Sequence, residues 1–330
     1  GLGDVYKRQF LNNSAYYYHK KYFNKGLIEM AKKVLVLMGG FSAEREVSLT
    51  TGKCVCAALK RADYEVVPHD LQNGFELVET LKKEKPDVVF NALHGNWGED
   101  GEIQGFLDVL QIPYTHSGLK ASVLGMDKSL TKELASENGI KVPQGEKMIF
   151  RKFKAEGTFL KMPYVIKPVS DGSSVGVYII RKKEDLEAVR YEDDREVLIE
   201  EFIDGKELTC MVLGSQAHVV TELRASDEFY DYHAKYTAGA TQHILPAEIP
   251  EDAANRCKLY AEHLHNILGC RGVSRCDFRY NPEDGVVLLE INTAPGMTDL
   301  SLVPEQAKYI GIGYERLCSY LVENASCRKI

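Results

Sequence analysis

No apolar run in the 330 residues approaches the roughly 20 needed to cross a bilayer as a helix, and the first thirty residues lack the apolar centre of a secretory signal. No Lys/Arg block is present either, and 41 basic residues against 48 acidic ones leave a net charge of −7. Duplex nucleic acid, whose binding depends on clustered cations that neutralise phosphate, is therefore excluded as an evident partner. No CxxC pair suggests zinc or redox chemistry. The eight cysteines (Cys54, Cys56, Cys210, Cys257, Cys270, Cys276, Cys318 and Cys327) are too sparse for a disulfide scaffold and read as free buried thiols. Internal repeats and low-complexity tracts are missing. What is there is a chain, 44% hydrophobic, long enough for two or three domains with a sizeable core. It is expected to be soluble and cytoplasmic, with a small or neutral substrate.

Residues 1–29 show neither sustained alternation nor a helical apolar face, and Met30-Ala31-Lys32-Lys33 reads as an ordinary start. This segment is expected to lie outside the fold, as a mobile terminus or as a basic, Tyr-rich arm that docks on a partner. It carries Lys7, Arg8, Lys20, Lys21 and Lys25 against Asp4 and Glu29, so the remainder is more acidic than the whole. From Val34 the pattern is α/β. Val34 to Met38 is a continuous apolar run ended by Gly39-Gly40, as expected of a strand buried on both faces. Ser42 is placed to cap a helix with Glu44 and Glu46 in its first turn and Val47, Val55 and Ala58 on its inner face. Strands at 64–67 and 87–93, a helix at 76–84 and helical spacing of Ile103, Phe106, Leu107 and Leu110 complete a βαβ domain over 30–117. A helix from Asp127 to Asn138, stopped by Gly139, leads into a β-richer subdomain over 118–203, with strands near 164–167, 177–180 and 197–202. A last subdomain over 204–330 carries strands near 207–213 and 217–223, a helix from about Asp252 to Leu268, a hairpin at 273–292 and a closing helix after Pro304.

The hairpin holds the most informative residues. Alternation puts Arg275, Asp277 and Arg279 on one face of the first strand and Glu290 with Asn292 on one face of the second. If Pro282-Glu283-Asp284-Gly285 is a four-residue loop, Asn281 pairs with Val286, and counting back sets Asp277 opposite Glu290 and Arg275 opposite Asn292. Two carboxylates and an amide oxygen make the hard donor set that Mg²⁺ prefers. The alternative is a cross-strand salt-bridge face open to water. Val286 and Leu288 argue that the sheet is covered, and adjacent buried carboxylates need a cation. The stretch Lys167 to Gly176 (KPVSDGSSVG) lies between two expected strands. Its Gly172 and Gly176 allow close backbone approach, Ser173 and Ser174 are donors and Lys167 is a point charge, which suits a phosphate lid or a surface hairpin loop. It is not a GxxxxGK[ST] loop. His94, in HGNWGEDG, sits where a strand ends and a helix begins, the place where open α/β sheets bind ligands; it can orient a substrate carboxylate or be structural. Finally, Gly296 in the turn Asn292 to Thr298 can offer its N–H to a developing oxyanion with Arg275 beside it, or belong to an ordinary Pro-Gly turn.

Taken in order, GGFSAEREVS at 39–48, LHG with GEDG at 93–101, Met126-Asp127-Lys128, Lys167 with its glycine loop, FYDYHAKY at 229–236 and Asn292 to Val303 resemble the D-alanine–D-alanine ligases of the ATP-grasp superfamily. The resemblance runs from about Val34 to the C-terminus and implies a three-domain α/β fold, α+β in the ATP-grasp part. It implies an ATP-dependent carbon–nitrogen ligase serving peptidoglycan precursor synthesis. One D-alanine carboxylate attacks the γ-phosphate of ATP, and the amine of a second D-alanine displaces phosphate from the acyl phosphate. By the same resemblance Lys128, Lys167, Ser174 and Lys235 hold ATP phosphates, Glu200, Glu201, Phe202 and Ile203 meet adenine, and Glu207 meets ribose. Asp277, Glu290 and Asn292 hold magnesium, as two ions for which manganese can substitute. Glu44 receives the first ammonium, positioned with Ser173 and Tyr236; His94 lies near the first carboxylate, and Ser301 and Leu302 hold the second. Arg275 and the Gly296 N–H stabilise the tetrahedral intermediate. Tyr236 favours D-alanine as acceptor. His233 stands where an acidic residue is common, and Asn96-Trp97 fills a variable pair. The family is commonly dimeric, so a homodimer is expected. Two other readings stay open: a ligase taking D-serine or D-lactate, and a degenerate ATP-binding module without turnover.

Overall fold

Glycine turns and buried apolar strands organise the described residues around three sheets. The computed structural model describes residues 31–172, 176–225, 241–298 and 301–329, and the architecture is that of the unit running from Lys33 to the C-terminus. The first sheet is parallel, ordered β2-β1-β3, from β1 (Lys33–Gly39), β2 (Glu65–Leu71) and β3 (Val88–Asn91). Val34 to Leu37 are wholly shielded, which is why their run shows no alternation. Helix α1 (Arg45–Arg61) lays Val47, Val55 and Ala58 against the sheet, as their spacing predicts. It starts later than Ser42 suggests. The Ser42 hydroxyl is spent on the loop itself, accepting from the Glu44 N–H and donating to the His94 carbonyl, and Glu44 occupies the cap position without a side-chain cap. Helices α2 (Gly74–Glu84), α3 (Glu102–Val109), α4 (Leu119–Met126) and α5 (Lys128–Glu137) follow. The Asp127 carboxylate caps α5 by accepting from the Ser129 and Leu130 N–H groups, both at 2.9 Å.

The second sheet is antiparallel, ordered β4-β7-β5-β6, from β4 (Gly145–Ile149), β5 (Tyr164–Pro168), β6 (Tyr178–Ile180) and β7 (Glu196–Glu201), with helix α6 (Phe150–Glu156) after β4. The third is ordered β10-β9-β8-β11-β12, from β8 (Lys206–Leu213), β9 (Gln216–Ala225), β10 (Thr241–Ile244), β11 (Val273–Asn281) and β12 (Gly285–Asn292). Helix α7 (Glu251–Leu268) covers one face of it, packing Cys257, Ala261, Leu264 and Leu268 with Leu208, Cys210, Phe278 and Leu288. The expected closing helix is two: α8 (Leu302–Tyr309), which takes Pro304 into its first turn where no intrahelical N–H bond is lost, and α9 (Tyr314–Glu323). Leu317, Leu321 and Val322 of α9 join Val34 and Val36 of the first sheet and Met211 and Val273 of the third in one core. The C-terminal helices thereby lock the two sheets together. All eight cysteines are free; Cys54, Cys270 and Cys327 are half-buried rather than buried. No described helix is long and apolar enough to cross a membrane.

Candidate active site

Parallel pairing brings the ends of β1 and β3 together. The Ser48 hydroxyl ties them, accepting from the Gly39 N–H at 2.8 Å and donating to the Ala92 carbonyl at 2.7 Å. Beyond these strand ends the chain turns through Gly39 and Gly40, both at φ +83°, and delivers Glu44 into a cleft of about 950 Å³. The Glu44 carboxylate is buried and threads between two glycines. A Cβ on Gly95 would stand 2.8 Å from its Oε2, and one on Gly172 2.9 Å. His94 lines the same cleft with both ring nitrogens engaged, Nε2 at 2.9 Å from Thr51 Oγ1 and Nδ1 at 3.2 Å from Glu99 Oε1. A ligand carboxylate beside His94 thus meets an imidazole whose orientation is set by a buried threonine and a half-buried glutamate.

The hairpin sets Asp277 opposite Glu290 and Arg275 opposite Asn292, the pairing expected from a four-residue loop, but by another route. The loop is one residue shorter than expected, since Asn281 pairs with Gly285. A bulge at Leu289, opposite the step from Asp277 to Phe278, makes up the difference. Leu288 stays in the core and Leu289 turns to a cleft. Arg275 pairs along its own strand, Nε to Asp277 Oδ1 at 2.9 Å and Nη2 to Oδ2 at 2.8 Å, and Thr209 donates to Asp277 Oδ1 at 2.6 Å. Glu290 Oε2 lies 3.7 Å from Lys128 Nζ, and Asn292 Oδ1 accepts from the Ala294 N–H. Arg275 and Asp277 are largely shielded from water (14% and 15% side-chain exposure), while Glu290, on the cleft side, is 31% exposed. Two opposed carboxylates with an amide oxygen beside them are an all-oxygen donor set that fits a hard divalent cation, and guanidinium and ammonium groups stand against both acids. Among the described residues no group of three or more His, Cys, Asp or Glu side chains meets a metal-site geometry; here the third donor is an asparagine.

A second cleft of about 910 Å³ lies between the second and third sheets and shares Lys128, Asp171, Glu290 and Leu302 with the first. Lys167, Glu200, Glu201, Phe202, Ile203 and Glu207 line it, with Asp277. The loop after Lys167 does run between two strands, β5 and β6. Lys128 Nζ donates to the Asp171 carbonyl at 2.5 Å, and Glu207 accepts from Arg279 at 2.9 Å. Behind the cleft wall Glu200 is ion-paired with Lys132 through one oxygen and with Lys167 through the other. Burial opposes the charge on Glu200, yet the two ammoniums outweigh it and hold its carboxyl below the usual range. Burial also opposes the Lys167 charge, which Glu200 and Glu290 restore, leaving Lys167 raised. Back in the first cleft, the Ser301 hydroxyl at the start of α8 accepts from the Thr298 N–H, and a Cβ on Gly296 would stand 3.0 Å from that oxygen.

The D-ala D-ala ligase C-terminus family matches residues 136–323, and the D-ala D-ala ligase N-terminus family matches residues 73–117. A D-alanine–D-alanine ligase of Zymomonas mobilis is 49% identical over 304 residues, covering 89% of this chain and 94% of that protein. One from a Ruegeria species is 48% identical over 302 residues, covering 90% and 97%. The chain belongs to the D-alanine–D-alanine ligase family. Among solved structures, the Bacillus anthracis ligase complexed with ATP matches with TM-score 0.76 at 34% identity, covering 90% of this chain and 97% of that one. The VanG D-Ala:D-Ser ligase of Enterococcus faecalis matches with TM-score 0.72 at 31% identity, covering 89% and 99%. The fold is thus the mixed α/β ATP-grasp fold of these ligases.

Of the residues anticipated for a ligase site, Glu44, His94, Arg275, Asn292, Gly296 and Ser301 line the first cleft, Lys128, Glu290 and Leu302 line both, and the rest of the described ones line the second. Ser173, Ser174, Lys235 and Tyr236, the FYDYHAKY motif with His233, and the segment 1–29 lie outside the described residues. Sequence reasoning assigned no role to Thr51, Glu99 or Lys132. Glu99 stands in a quoted motif five residues from His94, a spacing that carried its own signal; Thr51 and Lys132 reach their partners only through tertiary packing.

Proposed function

We propose that the two abutting clefts hold the two halves of one reaction, ATP in the second and two D-alanine molecules in the first, with D-alanyl-D-alanine, ADP and phosphate as products. One observation carries this assignment: both clefts share Lys128 and Glu290, at the point where a γ-phosphate would meet a substrate carboxylate. A carboxylate is a poor acyl donor until phosphorylated, and its attack on phosphate is opposed by like charge. Lys128, Lys167 and Lys235 offset that repulsion. Asp277, Glu290 and Asn292 would hold magnesium, as two ions, whose charge neutralises phosphate oxygens when bound. Glu44 binds the first ammonium, supported by Ser173 and Tyr236, and His94, held by Thr51 and Glu99, faces its carboxylate. Arg275 and the Gly296 N–H stabilise the oxyanion as the second amine attacks, while Ser301 and Leu302 hold that substrate's carboxylate. Ser174 adds a phosphate donor, Glu200 to Ile203 form the adenine wall, and Glu207 meets the ribose.

In this reading residues 30–117 form the substrate domain, and 118–203 and 204–330 form the two grasp subdomains. The enzyme works in the cytoplasm, where ATP is supplied. It works as a homodimer, for which exposed Val109, Leu119 and Val123 on adjacent helices offer an apolar surface. The decisive test is D-alanine-dependent release of phosphate from ATP with and without Mg²⁺. Release that needs both D-alanine and Mg²⁺ is the expected result; no release with any D-amino acid would overturn the reading.

A further inference from the structure

Lys132 is nine-tenths buried, lines neither cleft, and belongs to none of the motifs that suggest a ligase. It sits one helical turn after Lys128 on α5, so both ammoniums leave the same face of that helix. Lys128 reaches the junction of the clefts, at the Asp171 carbonyl and Glu290. Lys132 reaches inward to Glu200, whose other oxygen is taken by Lys167. The result is a buried row of cation, anion and cation in which the central carboxylate is nearly inaccessible (3%) and only Lys167 and Glu200 face the nucleotide cleft.

The row carries one more positive than negative charge, so Glu200 stays compensated as long as one of the two lysines serves it. Under the proposed function Lys167 also serves the ATP phosphates, which carry several negative charges and compete for its ammonium. Without Lys132, a buried carboxylate that lost its share of Lys167 next to those phosphates would be left with an uncompensated charge, a costly arrangement. Resting on that reading, we propose that Lys132 is a positioning residue of the nucleotide site: it is the counter-ion that keeps Glu200 ionised and in place when Lys167 turns to phosphate. Burial, together with the repulsion from Lys167, pushes the Lys132 ammonium down to about 7 although Glu200 opposes the change. Drawing Lys167 away removes that repulsion and strengthens Lys132 as a partner when it is needed. A neutral residue at 132 could fill the space but not balance the charge.

The test reads nucleotide binding directly, by titration calorimetry of the full chain with adenylyl imidodiphosphate in the presence of Mg²⁺, in the wild type, Lys132→Met, Glu200→Gln and the double variant. Truncating one partner of a buried charge pair should weaken binding by about tenfold or more in Lys132→Met. With Glu200 neutralised no counter-ion is required, so the double variant should bind within about twofold of Glu200→Gln, the non-additivity expected of a coupled pair. A Lys132→Met effect of equal size in both backgrounds would overturn the proposal, since a residue that merely supports the fold has no reason to lose its importance when Glu200 loses its charge. If Lys132→Met does not fold, the comparison of Glu200→Gln with the double variant still decides: near-equal affinities support the proposal and a tenfold gap refutes it. Because the readout is binding, its failure is separable from that of the ligase reading, which phosphate release tests on the wild type.

Discussion

The Glu44 carboxylate shows how a site can depend on atoms that are missing. Gly95 and Gly172 come from loops far apart in sequence and flank its Oε2 so closely that a side chain on either would push the carboxylate aside. Gly95→Ala should therefore raise the KM for D-alanine by about tenfold, as expected when a charged contact is misplaced, and the left-handed backbone at φ +67° should cost a further 1–2 kcal/mol or so of stability. Gly139, at φ +76° with nothing within 4 Å of a Cβ, is the control. Gly139→Ala should lose similar stability while leaving KM unchanged, and a KM that moves equally in both variants would show that general destabilisation is responsible. At Glu290, replacement by Gln keeps the volume and removes one charge from the oxygen donor set. The fold should persist by circular dichroism while phosphate release falls below detection; a Glu290→Gln enzyme of normal activity would refute the metal assignment. Stripping divalent ions with EDTA should have the same effect in the wild type, reversed by added Mg²⁺.

Helix α5 places two ammoniums in sequence-adjacent turns, and its start is defined by one side chain. Asp127 takes two N–H groups that would otherwise go unpaired at the helix end. Asp127→Ala should cost about 1 kcal/mol, read as a lower urea midpoint, whereas Asp127→Asn, an equally good cap, should cost a few tenths. Because Lys128 follows the cap directly, the Ala variant should also raise the KM for ATP; an unchanged KM would show that the Lys128 backbone hydrogen bond to the Val169 carbonyl fixes it without the cap. In the hairpin, the short loop and the Leu289 bulge have opposite effects on register. Counted back from Asn281 and Gly285, alternation alone would set Leu289 opposite Asp277; the extra residue brings Glu290 there instead, and a local rule has no access to where that residue is placed. Burial of Phe278 against Leu288 decides that.

For the molecule as a whole, two deeply buried histidines contribute to the response to acid. Burial pushes His116 down to about 3 and His265 down to about 4, against an ordinary value of 6.5. Both are neutral in the folded chain through the range where the unfolded chain takes up protons. Below pH 6.5 the unfolded state therefore binds more protons, and stability falls as the pH falls, until the folded values are reached. Urea midpoints should decline steadily from pH 6.5 to pH 4.5. His265→Asn keeps a partner for Ser274 near the Nδ1 position and should make the decline shallower even though its midpoint at pH 7 is no higher. An undiminished slope would assign the acid sensitivity to other groups.

Much of this molecule is local grammar. Runs without alternation read as strands buried on two faces, glycine pairs as the turns beyond them, Asp127 and Gly139 as the ends of a helix, and the alternation within each hairpin strand as a face bearing oxygen donors; each depends on residues within a few positions of one another. The elements that escaped, β4, β10, α4 and α6, are short, and their weak periodicity is overridden by the neighbours they pack on. The full set of charges was likewise present in the sequence, but their partners were not. Whether Arg275 pairs along its strand, whether Glu44 passes between two glycines and whether Lys132 balances Glu200 are decided by contacts between segments far apart in the chain. Such contacts form only where the three sheets are brought together, and burial then makes each unpaired charge too costly to leave. Sequence therefore determined the kind of chemistry this chain carries, and tertiary packing determined which groups are free to perform it.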